Sequence, residues 1–244
     1  MDEALFDSAC ESGVAVLRLY TWPEPAVTIG FTQWRTPEAW PAPEQVPIVR
    51  RITGGRGILH GDDVTVSLSL PADLLANRNV PLGPIAIYRW LTPAFAGAFR
   101  QFDVCATTGS HTARAAGAKA DCFAAAAAGD LVDGRTGAKL LGAAVRIHRG
   151  GALVQASIPY RNEPDERTAL RSLVLGGRRR PVQSFDWNRQ EFDHALQHSV
   201  SSLIEEPCVP RSMSRREAQR TDQLAAIYAS PKWNHLGRRE ADAG

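Results

Sequence analysis

Three short stretches of the chain hold residue types that do chemistry. The first is Arg50-Arg51-Ile52-Thr53-Gly54-Gly55-Arg56-Gly57-Ile58-Leu59-His60, three glycines set between two apolar runs. Glycine has no Cβ, so backbone N–H groups there can approach an anion or a carbonyl oxygen closely. The arginines at its mouth add two-pronged donors for a carboxylate or a phosphate. It is neither a Walker A loop nor a dinucleotide fingerprint, because no helix follows and Gly-Lys-Ser/Thr is missing. The plainer reading is a glycine-rich hairpin with solvated arginines. The second stretch is Thr136-Gly137-Ala138-Lys139-Leu140-Leu141-Gly142, a lone cation in an apolar run. Lys139 faces either a pocket, as a compact tunable charge, or solvent, as the guard of a strand edge. The third is Cys122, followed by Phe123, five alanines, Gly129 and Asp130. A thiolate at Cys122 needs a cation beside it, and the chain order permits Lys139 to supply one. Cys10, Cys105 and Cys208 read as inert thiols. His194 and His198 have i, i+4 spacing, but no third ligand is near in the sequence, so a solvated helix face is preferred and no metal is expected.

The elements that must position these residues follow from hydrophobic periodicity. Residues 3–12 read as a short helix stopped at Gly13. Residues 14–20 and 26–30 read as two strands, antiparallel to each other, joined by the Trp22-Pro23-Glu24-Pro25 turn. Pro37 to Pro47 is a loop or a broken helix. Residues 46–52 and 63–70 are strands on either side of the glycine-rich stretch, and Val64-Thr65-Val66-Ser67-Leu68-Ser69-Leu70 alternates with the period of a half-buried strand. Ile85, Tyr88, Leu91, Phe95 and Phe99 mark a helix over 84–102, with Pro93 as a kink point. Residues 129–147 read as strand, hairpin loop, strand, and 152–158 as a further strand. Residues 161–183 are polar and arginine-rich. Helices are expected over 189–205 and 214–229, with a frayed tail after Gly237. The sum is an α+β domain ending in helices.

Composition bounds the reading. At 244 residues, 44% hydrophobic and 22% charged, the chain suits one generous globular domain rather than a disordered one. A net charge of +2 argues for no nucleic-acid partner. No apolar window of about 18 residues suggests a membrane span. The start, Met-Asp-Glu-Ala-Leu-Phe-Asp, is acidic where a signal peptide is basic. Four cysteines with no paired spacing point to free thiols, hence to the cytoplasm.

Blocks taken in order resemble a known family. Tyr20-x-Trp22-x-x-Pro25-Ala26-Val27-Thr28-Ile29-Gly30-Phe31-x-Gln33, then Arg50-Arg51-x-Thr53-Gly54-Gly55 with His60, then Gly137-x-Lys139-x-x-Gly142-x-Ala144 are similar to the catalytic domain of biotin and lipoate protein ligases and related octanoyltransferases. Tyr228-x-Ser230-Pro231-x-Trp233-Asn234 resembles the end of that domain. Cys122-Phe123-Ala124-Ala125-x-x-x-Gly129-Asp130-Leu131 is closest to the ligase-like octanoyltransferases, which use a cysteine in this segment.

The resemblance implies a central mixed, largely antiparallel sheet flanked by helices, with residues 1–205 as the catalytic domain and 206–244 as a C-terminal helical extension and frayed tail of the same domain. It implies transfer of an octanoyl group from acyl carrier protein to a lysine of a lipoyl-carrier domain, with Cys122 as nucleophile and Lys139 as base and counter-charge. Arg51, Thr53, Gly54, Gly55, Gly57, His60, Gly142 and Ala143 would bind the octanoyl or lipoyl substrate, glycine N–H groups near Gly142 or Gly55 would stabilise the oxyanion, and Val66, Leu68 and Ile147 would hold the acyl chain. No cofactor is then expected. The alternative is a lipoate-protein ligase using ATP and magnesium, with Cys122 a bystander. A third reading, from Ala143, Val145 and Val154 standing where the family differs, is a non-catalytic lipoyl-domain binder. Arg178-Arg179-Arg180 is either a docking surface for acidic carrier domains or a solvated loop.

Overall fold

The computed structural model describes residues 1–33, 46–109, 121–126, 129–148, 150–161, 164–176 and 187–236. Helix α1 (Asp2–Ser12) ends at Gly13, whose φ of 73° is the left-handed cap that glycine adopts without strain. Strands β1 (Val16–Tyr20) and β2 (Ala26–Ile29) follow, then β3 (Ile48–Arg50), β4 (Ile58–His60) and the long β5 (Asp63–Pro71). Helices α2 (Ala72–Asn77) and α3 (Pro84–Arg100) lead to the short pair β6 (Ala106–Thr108) and β7 (Leu131–Asp133). The hairpin β8 (Gly142–His148) and β9 (Gly151–Pro159) precedes helices α4 (Asp165–Leu175), α5 (Arg189–Ile204), α6 (Arg215–Ala229) and α7 (Pro231–Leu236).

The larger sheet has the order β1-β5-β9-β8 and is antiparallel throughout. The alternation of β5 gives it two unlike faces. Val66, Leu68 and Leu70, with Val154, Ala156 and Ile158 of β9, join α3 and α5 in the main core. Leu91, Phe95 and Phe99 of α3 meet Phe192, Leu196 and Val200 of α5 there. Burying each such side chain contributes about 1.5–3 kcal/mol. The α3 stripe begins at Ile87, because Ile85 is exposed, and the helix continues through Pro93 to Arg100. The opposite face of the sheet presents Thr65, Ser67, Ser157 and Gln155.

That second face looks toward a smaller sheet of order β3-β2-β4, whose far side packs on α4 through Val27, Ile29, Ile48, Leu59, Val174 and Leu175. Here the sequence expectation of a β1–β2 pair fails. β1 pairs with β5, while β2 is parallel to β3 and antiparallel to β4. Two prolines in four residues at the turn do not close a tight hairpin, and the indole N–H of Trp22 donates instead to Thr65 Oγ1 at 2.8 Å. Helix α4 is also new, formed within the stretch read as merely polar. The C-terminal helices pack on the same body. The Tyr228 hydroxyl of α6 donates to Glu3 at 2.8 Å, and Trp233 of α7 clusters with Phe6, Ile52 and Leu153.

Arg50 locks this arrangement. It is 2% exposed, and its guanidinium donates to the carbonyls of Gly30, Phe31, Gln33, Trp233, Asn234 and His235. It is therefore not a solvated arginine at a loop mouth. Arg178-Arg179-Arg180, most of the 37–47 segment and the tail after Gly237 lie outside the described residues.

Candidate active site

The glycine-rich stretch leaves β3 and is held open by Arg51. One of its guanidinium nitrogens donates to Thr28 O and Thr28 Oγ1, each at 3.2 Å, and the other to Gly54 O at 2.7 Å and Arg56 O at 2.8 Å. Arg51 is buried rather than solvated, and burial pulls its pKa down to about 10, against the opposing pull of Cys122. Gly30 is required beneath the loop, since a Cβ there would lie 2.0 Å from Gly55 O. Thr53 is fully buried and its hydroxyl donates to Gln155 Oε1 at 2.8 Å, tying the loop to the large sheet. Gly54 has no atom within 4 Å of where a Cβ would stand, so that side of the loop is open.

Cys122 is stitched to the end of the same loop. Asp121 bridges Gly57, and the Cys122 N–H donates to Gly57 O at 2.9 Å. Below it, the buried carboxylate of Asp121 accepts from Arg171 of α4 at 3.1 Å and from the Phe123 N–H at 2.9 Å. Breaking such a buried pair is costly, so it holds the backbone of the cysteine firmly. Gly142 opens the other side. A Cβ at that position would sit 2.9 Å from Cys122 Sγ, so any larger residue would displace the thiol.

Lys139 arrives from the β7 turn, bridged to Val132, with its side chain only 9% exposed. Its ammonium donates to Cys122 Sγ at 3.6 Å and to Asp130 Oδ2 at 2.8 Å. Burial alone would lower the Lys139 pKa, but Cys122 and Asp130 outweigh it and hold the group above its ordinary value. It is a retained cation, not an edge charge. Tyr88 of α3 stands beside this group, its hydroxyl accepting from the Leu131 N–H at 3.3 Å. Burial first and Asp130 second push its pKa up to about 12, so it stays a phenol.

Between the two sheets lies a cavity of about 390 Å³ that Cys122 enters. Its walls include Arg51, Thr28, Ile58 and His60 from the small sheet and Gly142, Ala143, Ala144, Ser157 and Thr65 from the large one. His60 is stacked on Trp22 at 4.5 Å and joins Thr28 Oγ1 to Asp63, each at 2.8 Å. Burial pushes the Asp63 carboxyl up, yet the His60 ring and the hydrogen bonds of His60, Ser157 and the Gly61 N–H keep it below its ordinary value. Val66, Leu68 and Ile147, expected to hold an acyl chain, do not line this cavity. They pack on the α3–α5 side, one residue out of phase with Thr65, Ser157 and Ala144. Tyr20, Trp22 and Asp130, which stand in the sequence blocks without an assigned role, belong to the site, as does Gln155. Asp130 carried a faint signal in standing just before a strand that returns to Lys139. His194 and His198 are exposed on the outer face of α5.

Two stacked sheets with helices outside them are the lipoate-ligase type of α+β fold. The chain superposes on a crystal structure of lipoate-protein ligase A bound with ATP with a TM-score of 0.73, at 20% identity, over 96% of this chain and 91% of that one. It also superposes on the bipartite lipoate protein ligase of Thermoplasma acidophilum, described with its E2 lipoyl domain, with a TM-score of 0.69 at 17% identity over 98% and 92%. The chain belongs to the lipoyl protein ligase A/B catalytic domain family, whose model matches residues 1–201. Among curated relatives, an Exiguobacterium protein named Octanoyltransferase LipM is 28% identical over 262 residues, covering 96% of this chain and 91% of its own. No helix of the described residues is long and apolar enough to cross a membrane.

Proposed function

We propose that this protein is a cytoplasmic octanoyltransferase that moves an octanoyl group from the thioester of acyl carrier protein to a lysine of a lipoyl-carrier domain. The observation that carries this reading is the placement of Cys122 Sγ 3.6 Å from the buried Lys139 ammonium, at a cavity suited to a short acyl chain. The similarity to the octanoyltransferase relative along nearly the whole chain supports it.

Lys139, held as an ammonium by Cys122 and Asp130, is the counter-charge for a Cys122 thiolate. The Cys122 thiolate attacks the donor's carbonyl carbon and a new C–S bond forms. The bond to the carrier thiol breaks, and that thiol leaves with the proton of Lys139. Lys139, now neutral, takes a proton from the acceptor lysine, whose free amine attacks the Cys122 thioester. The amide forms, the Cys122 thiolate is released beside its ammonium again, and the second amine proton goes to solvent. Exchange of one thioester for another is near thermoneutral and aminolysis is downhill, so ATP is not needed. The site contributes orientation and fixed charge. The missing side chain at Gly142 leaves backbone within reach of the thioester oxygen.

The test is incubation with octanoyl-acyl carrier protein in the absence of nucleotide. The intact chain should gain one octanoyl group, labile to hydroxylamine and mapped to Cys122, and an apo lipoyl domain should then discharge it. Cys122→Ala should gain nothing and transfer nothing. Undiminished transfer by Cys122→Ala, or modification of the domain from free lipoate with Mg-ATP, would overturn the reading in favour of a ligase.

A further inference from the structure

The cavity is built on one row of residues that runs straight across the large sheet. Gly142 of β8 is opposite Ser157 of β9, Ser157 is opposite Thr65 of β5, and Thr65 is opposite Tyr20 of β1. All four line the cavity, and Cys122 Sγ lies against the first of them. Side-chain size along the row is none, small, small, then large. The two hydroxyls in the middle do not stand up into the cavity as free polar groups. Ser157 Oγ and Thr65 Oγ1 donate to Asp63 Oδ2 at 2.7 and 3.2 Å. The row is therefore a trough with its polarity turned into the sheet, open beside Cys122 and closed at Tyr20.

Tyr20 is a fixed wall. Its hydroxyl donates to Asp2 Oδ2 at 3.0 Å, and the Arg18 guanidinium lies 3.6 Å from its ring centroid. The Trp22 ring, 6.1 Å away and itself stacked on His60, closes the corner beside it.

Row length matches a chain of definite size. Three strand spacings separate Gly142 from Tyr20, about 14 Å. An extended chain advances about 1.2 Å per bond, since three backbone bonds span 3.3–3.6 Å. Eight bonds link a thioester sulfur to the end of an octanoyl chain, hence about 10 Å. The remaining length, about 4 Å, is one carbon–carbon contact with the Tyr20 ring.

We propose that Tyr20 is the chain-length determinant of this site, a wall at the far end of the Gly142–Ser157–Thr65 row that stops a saturated eight-carbon chain. This rests on the transferase reading only for the identity of the loaded group; the length limit is a property of the cavity. Ten- and twelve-carbon chains extend past the wall, and shorter ones leave the trough partly empty, forfeiting about fourfold per missing methylene, the equivalent of ~0.8 kcal/mol.

The experiment offers the protein C6, C8, C10 and C12 thioesters of acyl carrier protein in competition and reads loading on Cys122 by intact mass. The same free acids are titrated into Cys122→Ala by calorimetry. With Tyr20 in place, C8 should be favoured in both assays, the calorimetric one on the Cys122→Ala background throughout. Tyr20→Ala should raise the C12-to-C8 ratio at least tenfold in both, and Tyr20→Leu should move the optimum to C10. Tyr20→Phe keeps the ring and should keep the C8 preference, which separates the wall from the hydroxyl. The Leu and Phe variants retain the buried bulk, so a failure of Tyr20→Ala to fold leaves the test intact. If Tyr20→Leu retains the parent's C8 preference in both assays, the wall is elsewhere and the inference falls. A parent that binds free C8 acid but never loads Cys122 would sink the transferase reading and leave the length limit standing.

Discussion

The two faces of the large sheet are made by the same strands and solve opposite problems. On one face Val66, Leu68, Val154 and Ile158 meet α3 and α5, and bulk fills the space. On the other, Thr65, Ser157 and Gly142 are small, and the hydroxyls of the first two are turned onto Asp63. The filled face stabilises the domain, and the open face leaves room for a ligand between two sheets that the hydrogen bond from Thr53 to Gln155 ties together. Stability and chemistry are thus separated by a shift of one residue along each strand. Substitutions on the two faces should consequently fail in different ways.

The largest effect is expected on the filled face. Phe99 is fully buried between Trp187 and Phe192, at ring distances of 5.4 Å from each. Phe99→Ala should cost about 3–5 kcal/mol of unfolding free energy, measured by denaturant titration. Its acyl transfer per folded molecule should match the parent. A variant that loses turnover while melting normally would break the comparison.

Lys139→Arg tests the open face. It keeps the charge beside Cys122 but gives up no proton and presents a larger planar head. Turnover should fall about a hundredfold, the scale of general acid–base catalysis, with an unfolding midpoint near that of the parent. Lys139→Met is a harsher change, because it removes the buried cation that lies 2.8 Å from Asp130 and 3.6 Å from Cys122 Sγ, and it should lower the midpoint as well. Parent-like turnover in Lys139→Met would remove the lysine from the mechanism.

The smallest effect concerns pH. Asp63 holds the hydroxyls of the open face, and its carboxyl is kept below its ordinary value in the folded protein. Its stabilising contribution is therefore present above the unfolded carboxylate range, near pH 4, and lost as pH falls further through the folded value. Thermal melts of the parent should drop more steeply than those of Asp63→Asn between about pH 4 and pH 2. Equal slopes would show that Asp63 carries no pH-linked stability.

Much of this architecture was legible in the chain. The clean alternation of residues 64–70 marks β5, and the helical spacing of Leu91, Phe95 and Phe99 marks α3, because local periodicity reflects what one side of an element must bury. The glycines at 54, 55 and 57 mark a loop where backbone is exposed to a ligand. Other features were not legible. Arg50 and Arg51 sit side by side and look like two solvated charges, yet carbonyls from residues 30–33 and 233–235 converge on the first, and carbonyls of Thr28, Gly54 and Arg56 on the second. No local pattern announces an acceptor more than 180 residues away. Asp130 shows in the sequence only its place before a strand, and its pairing with Lys139 comes from the β7 turn that brings the two together.

The sequence by itself determined the longer elements such as β5, α3, α5 and α6, and the family likeness of the glycine-rich, cysteine and lysine blocks, since these depend on residue type and near neighbours. It also determined that β5 has two unlike faces. Only the tertiary structure decided which face holds the cavity. A period of two distinguishes odd from even positions and says nothing about what packs on each. Here α3 and α5 take the Val66–Leu68 side, so Thr65 and Ser157 remain to form the trough, and pairing across four strands carries that trough from Cys122 to Tyr20.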